Sequence, residues 1–227
     1  MKTTLLLSAG LAALTLAASC KKEKRYDANN GQTQLAYQVS IENPSSSTAR
    51  STAAIITWNS GFANPSMVKF EAKQENSKLE YKATNTGQID LFSPDPMTFG
   101  NFTLGPGMYK EIELKLHFQK RGSSPAIQLG GSVTAGGLTT PVVLMIEGPL
   151  EIKTEQKDVM IDDGIAYVAI TSLNLASYTE GITEGMWVDA DRINGTIIIS
   201  KDENQYLYWK ILGNIKDWKH RCHFWHK

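Results

Sequence analysis

The strongest constraint on this chain's fold is the run Lys110-Glu-Ile-Glu-Leu-Lys-Leu-His-Phe118, in which charged and apolar residues alternate. Successive side chains of an extended strand point to opposite faces. Ile112, Leu114, Leu116 and Phe118 therefore share one side, and Glu111, Glu113, Lys115 and His117 the other. This is a half-buried strand, and it puts His117 on the solvent face rather than in a ligand set. Just upstream, Thr103-Leu-Gly-Pro-Gly-Met-Tyr109 supplies a turn. Pro106 presets φ for its first central position and Gly107 accepts positive φ at the second, as a type II turn requires.

Similar signals, punctuated by Gly, Pro, Asn and Ser, recur along the chain. Strands are expected over 35–41, 52–58, 67–72, 78–83 and 88–92, and then over 126–135, 140–146, 150–154 and 165–170. Val142 to Ile146 is apolar on both faces and reads as a central strand. Between Leu173 and Asp191 the spacing changes: Leu175, Tyr178, Ile182 and Met186 fall three or four apart, which predicts one amphipathic helix. Residues 196–200 and 205–212 read as a hairpin around Lys201-Asp202-Glu203-Asn204. The fold class expected is mainly β, an antiparallel β-sandwich with one short amphipathic helix. The body spans 35–217, with a candidate division into two subdomains near 120–125, and a His- and Trp-rich tail occupies 218–227.

The chain's start has a separate meaning. A short basic beginning at Lys2 precedes an apolar stretch, Leu5 to Leu16, and then Ala17-Ala18-Ser19-Cys20. That stretch is too short for a bilayer, which takes about 20 apolar residues. The order resembles the bacterial lipoprotein lipobox. The resemblance implies a signal peptide over 1–19, a diacylglyceryl thioether on Cys20, and a flexible tether over 20–34. Acyl chains would then hold the protein on a membrane, each gaining about 0.8 kcal/mol per buried CH₂. Lys21 in place of an Asp implies the outer membrane. The start also resembles that of Bacteroidota-type lipoproteins, whose surface-exported members carry acidic residues after the cysteine; by that resemblance the basic tract Lys21-Lys22-Glu23-Lys24-Arg25 implies a periplasmic body rather than a surface-exposed one.

Composition narrows the function. Lys and Arg number 23 against 23 Asp and Glu, and no basic stripe stands out, so nucleic acid is not an expected partner. With Cys20 lipidated, Cys222 has no partner for an intrachain disulfide. The chain contains no Gly-x-Ser-x-Gly elbow, His-Glu-x-x-His motif, P-loop or dinucleotide fingerprint. No enzyme activity and no cofactor are expected. Glu111 and Glu113 form a carboxylate pair of the kind glycosidases use, but surface strands carry such pairs routinely. Asp189-x-Asp191-x-x-Asn194-Gly195 offers oxygen ligands without the spacing of an EF-hand loop. His220, Cys222 and His226 are of the right types for zinc or copper and form the candidate metal set.

The segment Gln88-Ile-Asp-Leu-Phe-Ser-Pro94, followed by Leu104-Gly-Pro-Gly-Met-Tyr-Lys-Glu-Ile-Glu-Leu114, resembles a recurring stretch of lipid-anchored Bacteroidota-type lipoproteins with a β-sandwich domain of unknown function. Pro-Gly-x-Tyr turns of this type also occur in transthyretin-like sandwiches. The resemblance implies a fold and transfers no catalytic residue. The expected role is a non-catalytic envelope lipoprotein, a binding or structural module that holds a glycan, peptide or partner protein on an exposed sheet face. Trp58, Trp187, Trp209 and Trp218 are candidates both for stacking on such a ligand and for the core, with Trp58 and Trp187 assigned to stacking. The alternatives are a fimbrial or adhesin-like component that assembles through a strand edge and, behind it, an envelope glycan hydrolase.

Overall fold

Period-two alternation governs the architecture. The computed structural model describes residues 33–42, 54–84, 86–217 and 221–226. Its strands are β1 (Thr33–Glu42), β2 (Ile55–Ala63), β3 (Pro65–Lys73), β4 (Lys78–Thr84), β5 (Ile89–Asp90), β6 (Met97–Leu104) and β7 (Gly107–Phe118). They continue with β8 (Ile127–Ala135), β9 (Leu138–Ile146), β10 (Leu150–Ile161), β11 (Tyr167–Asn174), β12 (Arg192–Ile193), β13 (Thr196–Ile199) and β14 (Arg221–His226). Three helices complete the set: α1 (Leu175–Tyr178), α2 (Glu184–Val188) and α3 (Gln205–Asp217).

Three sheets form, with strand orders β14-β11-β1-β6, β10-β7-β3-β4 and β12-β13-β9-β8-β2-β5. The first two pack face to face. Phe70 of β3 stacks on Phe102 of β6 with ring centroids 4.5 Å apart, and Thr154 of β10 meets Thr171 of β11 at 3.3 Å. Ile112, Leu114, Leu116 and Phe118 are buried as the alternation requires, and each such burial contributes about 1.5–3 kcal/mol. β9 lies between β8 and β13, consistent with its two-faced apolarity. The result is a mainly β sandwich with one hydrophobic cluster running through it. Strands from both sides of 120–125 pair in every sheet, as in β7 with β10, β2 with β8, and β1 with β11, and residues 31–227 form one compact unit.

The structure departs from the sequence expectation in four places. Two pairings, β1 with β11 and β9 with β13, are parallel. The segment between β5 and β7 contains a full strand, β6, that binds the edge of β1. Residues 205–212, read as a strand, belong instead to α3. Leu207, Tyr208, Ile211, Leu212 and Ile215 are buried at helical spacing, whereas a strand would have split them between two faces. The single helix expected over 173–191 is divided into α1 and α2, because Gly181 at φ 69 adopts the left-handed conformation that ends a helix.

Candidate functional site

Two surfaces stand out, and they use charge in opposite ways. The first is the outer face of the sheet β10-β7-β3-β4. Three of its strands carry Lys-x-Glu-x-Lys: Lys69-Glu71-Lys73, Lys78-Glu80-Lys82 and Lys153-Glu155-Lys157, while β7 carries Glu111-Glu113-Lys115. The registers align these into rows across the sheet. Lys82, Lys69, Lys115 and Lys153 form one row, and Glu80, Glu71, Glu113 and Glu155 the next. A third row reads Lys78, Lys73, Glu111 and Lys157.

Like charges directly opposite on neighbouring strands repel. Here the compensation comes from the adjacent rows. Lys69 pairs with Glu71, Lys78 bridges Glu71 at 3.0 Å and Glu80 at 3.1 Å, and Lys82 meets Glu80 at 2.8 Å. Glu113 receives both Lys115, at 2.7 Å, and Lys153, which also reaches Glu155 at 3.2 Å. The carboxylates of Glu71 and Glu113 lie deep, and most of the ammonium groups stand further out. Hydrogen bonds from Lys69 and Lys78 hold Glu71 below the usual carboxylate range against the cost of burial. For Glu113 burial pushes upward most strongly, but Lys115 and Lys153 together prevail and hold it low. Lys82 and Lys78 bring Glu80 down to about 2. Glu113 is thus an ionised carboxylate with no proton to donate near neutral pH, opposite to what a general acid needs.

The second surface surrounds α2 and α3 at one end of the six-stranded sheet. Five large apolar side chains are exposed here: Leu138, Val188, Ile193, Tyr206 and Trp209, with Leu138 at 67% and Trp209 at 59%. Specific contacts bring the β8–β9 turn, α2 and the start of α3 together. The β8–β9 turn uses Gly136 and Gly137 at positive φ, and its Gly136 N–H donates to the Glu184 carboxylate at 2.8 Å. A Cβ at Gly136 would lie 3.2 Å from Val188 Cγ2, so the turn abuts α2. Tyr206 donates its hydroxyl to the Met186 carbonyl at 2.8 Å, and Arg192 donates to the carbonyls of Val188 and Ala190. Trp209 lies one helical turn beyond Tyr206 and meets Tyr208 edge to face.

Beneath this pole sits Asn204, which the sequence reading placed only in a hairpin turn. Its side chain accepts from Asp191 N at 2.8 Å and donates to the carbonyls of Asp191 and Ile198, from a backbone at φ 48. It thereby ties β12, β13 and the start of α3 together. Four carboxylates, Asp189, Asp191, Asp202 and Glu203, lie around this pole, and none meets a cationic side chain at ion-pair distance among the described residues. Burial raises the Tyr206 phenol, and the carboxylates of Asp189 and Asp191 push it the same way against the weaker opposing pull of Arg192, so the two acids outweigh the one guanidinium beside the exposed ring.

The residues singled out in the sequence are distributed as follows. Trp58 and Trp187 are each 2% exposed and belong to the core, so neither has a free ring face for a ligand, which corrects the stacking assignment. Their bulk is better buried than solvated, and both elements turn them inward. Trp209 has the exposure that the other two lack. Cys20, Trp218 and His220 lie outside the described residues. Cys222 and His226 are described as backbone positions of β14, opposite Thr171 and Tyr167. Asn194-Gly195 forms a tight turn between β12 and β13 with both residues at positive φ. Glu111, Glu113 and Glu155 could approach a common ion, but lysines already occupy their oxygens. A cleft of about 180 Å³ lies between the end of β1 and the segment 91–97, with Ile41, Phe92 and Met97 among its walls. No helix among the described residues is long and apolar enough to cross a membrane.

No family model matches the chain, and neither the curated proteins nor the solved structures yield a match.

Proposed function

We propose that this protein is a lipid-anchored envelope lipoprotein that acts by binding rather than catalysis, and that its sandwich body presents the α2–α3 pole to a partner. One observation carries the reading: Tyr206 and Trp209 are exposed together with Val188, Leu138 and Ile193, and among the described side chains Tyr81 is the one other exposed ring. Exposed large apolar side chains gathered on neighbouring elements mark interaction sites, and Trp and Tyr dominate binding energy at interfaces. The anchor and the outer-membrane address rest on Leu5 to Leu16, on Ala17-Ala18-Ser19-Cys20 and on Lys21. The basic tract after Cys20 supports a periplasmic body, and the Pro-Gly-x-Tyr segment supports kinship with sandwich lipoproteins. The ligand classes are a glycan, a peptide or a partner protein. Assembly through a strand edge has less support. The edge strand β4, largely exposed, carries Lys78, Glu80 and Lys82, which discourage pairing with another chain.

The test is photocrosslinking in intact cells, with a benzophenone side chain placed at Trp209 or, as control, at Lys82. Adducts from position 209 that are absent from position 82 are expected. An adduct-free position 209, or equal labelling from both, would overturn the binding reading. Substituting Cys20→Ala is expected to abolish palmitate labelling and release the protein from membranes; retention of either would remove the anchor.

A further inference from the structure

We infer that the partner recognised by the α2–α3 pole is a cationic polypeptide segment, in which Lys or Arg flank an apolar side chain. The inference rests on the binding-module reading and narrows its ligand. Two unsatisfied features coincide at the pole. The apolar one is the exposed set Tyr206, Trp209 and Val188. The electrostatic one is the group Asp189, Asp191, Asp202 and Glu203, carboxylates without an ion-pair partner among the described residues.

Two basic side chains stand nearby and offset part of this charge without forming an ion pair with any of the four carboxylates. Arg192 is engaged with backbone carbonyls, and Lys201 is paired with Glu147 at 3.0 Å. A neutral glycan would use the rings but leave the carboxylates unanswered. An acidic partner would be repelled. A lysine- or arginine-bearing segment satisfies both, with its apolar residue on the rings and its cations at the rim, where charge complementarity sets specificity and association rate. The rest of the molecule strengthens the contrast, because the carboxylates of the sheet face are already matched by lysines.

The experiment uses the full mature chain in a neutral maltoside detergent. Fluorescence anisotropy is followed with a dye-labelled nonapeptide of alternating Arg and Leu, beside an otherwise identical peptide of alternating Glu and Leu. A maltohexaose titration, followed by intrinsic tryptophan fluorescence, is run in parallel. Binding of the Arg–Leu peptide alone is expected, weakening as salt rises. Trp209→Ala should raise its Kd at least about tenfold, equivalent to about 1.4 kcal/mol. Asp189→Asn combined with Asp191→Asn should raise Kd by a similar factor, and Lys82→Ala should leave it unchanged.

Equal binding of both peptides, or indifference to the Asp189/Asp191 pair, would overturn the cationic partner. If the Glu–Leu peptide or maltohexaose binds instead, and Trp209→Ala abolishes it, the pole remains a binding site and only the partner's charge is wrong. If none of the three probes binds, the cationic partner is refuted, and the crosslinking from position 209 decides separately whether the pole binds at all.

Discussion

The outer face of the β10-β7-β3-β4 sheet and the α2–α3 pole are both rich in charge, yet they are built to opposite ends. On the sheet face, acids and lysines meet in adjacent rows, and the two most buried carboxylates, Glu71 and Glu113, each hold two ammonium groups. At the pole, rings are exposed to solvent and the carboxylates beside them form no ion pair among the described residues. A surface whose charges are matched internally resists both stacking and edge pairing, whereas one with unmatched charge beside apolar area can still gain by contact. Charge content alone would have ranked the sheet face first. Pairing reverses that order.

Perturbations of the two regions should therefore diverge. The largest loss of stability is expected from Phe70→Ala, which removes the ring stacked on Phe102 beneath the charged face; chemical denaturation should register about 3–5 kcal/mol. Asn204→Ala should follow at about 2–3 kcal/mol, since it leaves backbone groups of Asp191 and Ile198 unsatisfied. It should also disable the pole while leaving the sheet face intact, which crosslinking from position 209 would report. If Asn204→Ala leaves the melting temperature unchanged, the pole is not organised as described.

Acid titration probes the sheet face. Glu71, Glu80, Glu113 and Glu155 have pKa values lowered from 4.5 in the folded state. Their contribution is complete above about 4.5 and is lost as pH falls through the folded values, which for Glu80 is about 2. Melting temperature should drop steadily over that window. In a Glu113→Gln variant the drop should be shallower, and an unchanged slope would show that the buried carboxylate contributes nothing. Smaller still, Trp209→Ala should shift stability by no more than about 0.5 kcal/mol while weakening binding at least about tenfold, because the ring is exposed. Lys82→Ala should change neither within the scatter of repeated melts, as expected of one exposed ion pair among several.

Much of the sandwich was legible in the residues. The alternation of β7, the turn at Pro106-Gly107 and the two-faced apolarity of β9 are local signals, and local sterics suffice to read them. The misreading of α3 has a local cause. Gln205 to Leu212 is rich in aromatic residues, and composition outweighed the spacing of Leu207, Ile211 and Ile215, which only the helix period explains. The binding pole was less legible because its members come from 138, 188, 193, 206 and 209. Trp209 could not be told from Trp58 or Trp187 by type, since a tryptophan carries the same ring whether it fills a core or faces solvent.

The sequence by itself determined that strands would form, which of their faces would be apolar, and that Cys20 ends a motif resembling a lipobox, because each depends on neighbours a few residues apart. Tertiary structure alone decided that three Lys-x-Glu-x-Lys strands would align into rows, that β1 would pair in parallel with β11, and that Asn204 would hold the pole together. Those outcomes depend on register between segments distant in the chain. A shift of one residue would move a strand's whole charged set to the opposite face, and only the packing of Phe70 on Phe102 and the other core contacts selects one register over the next.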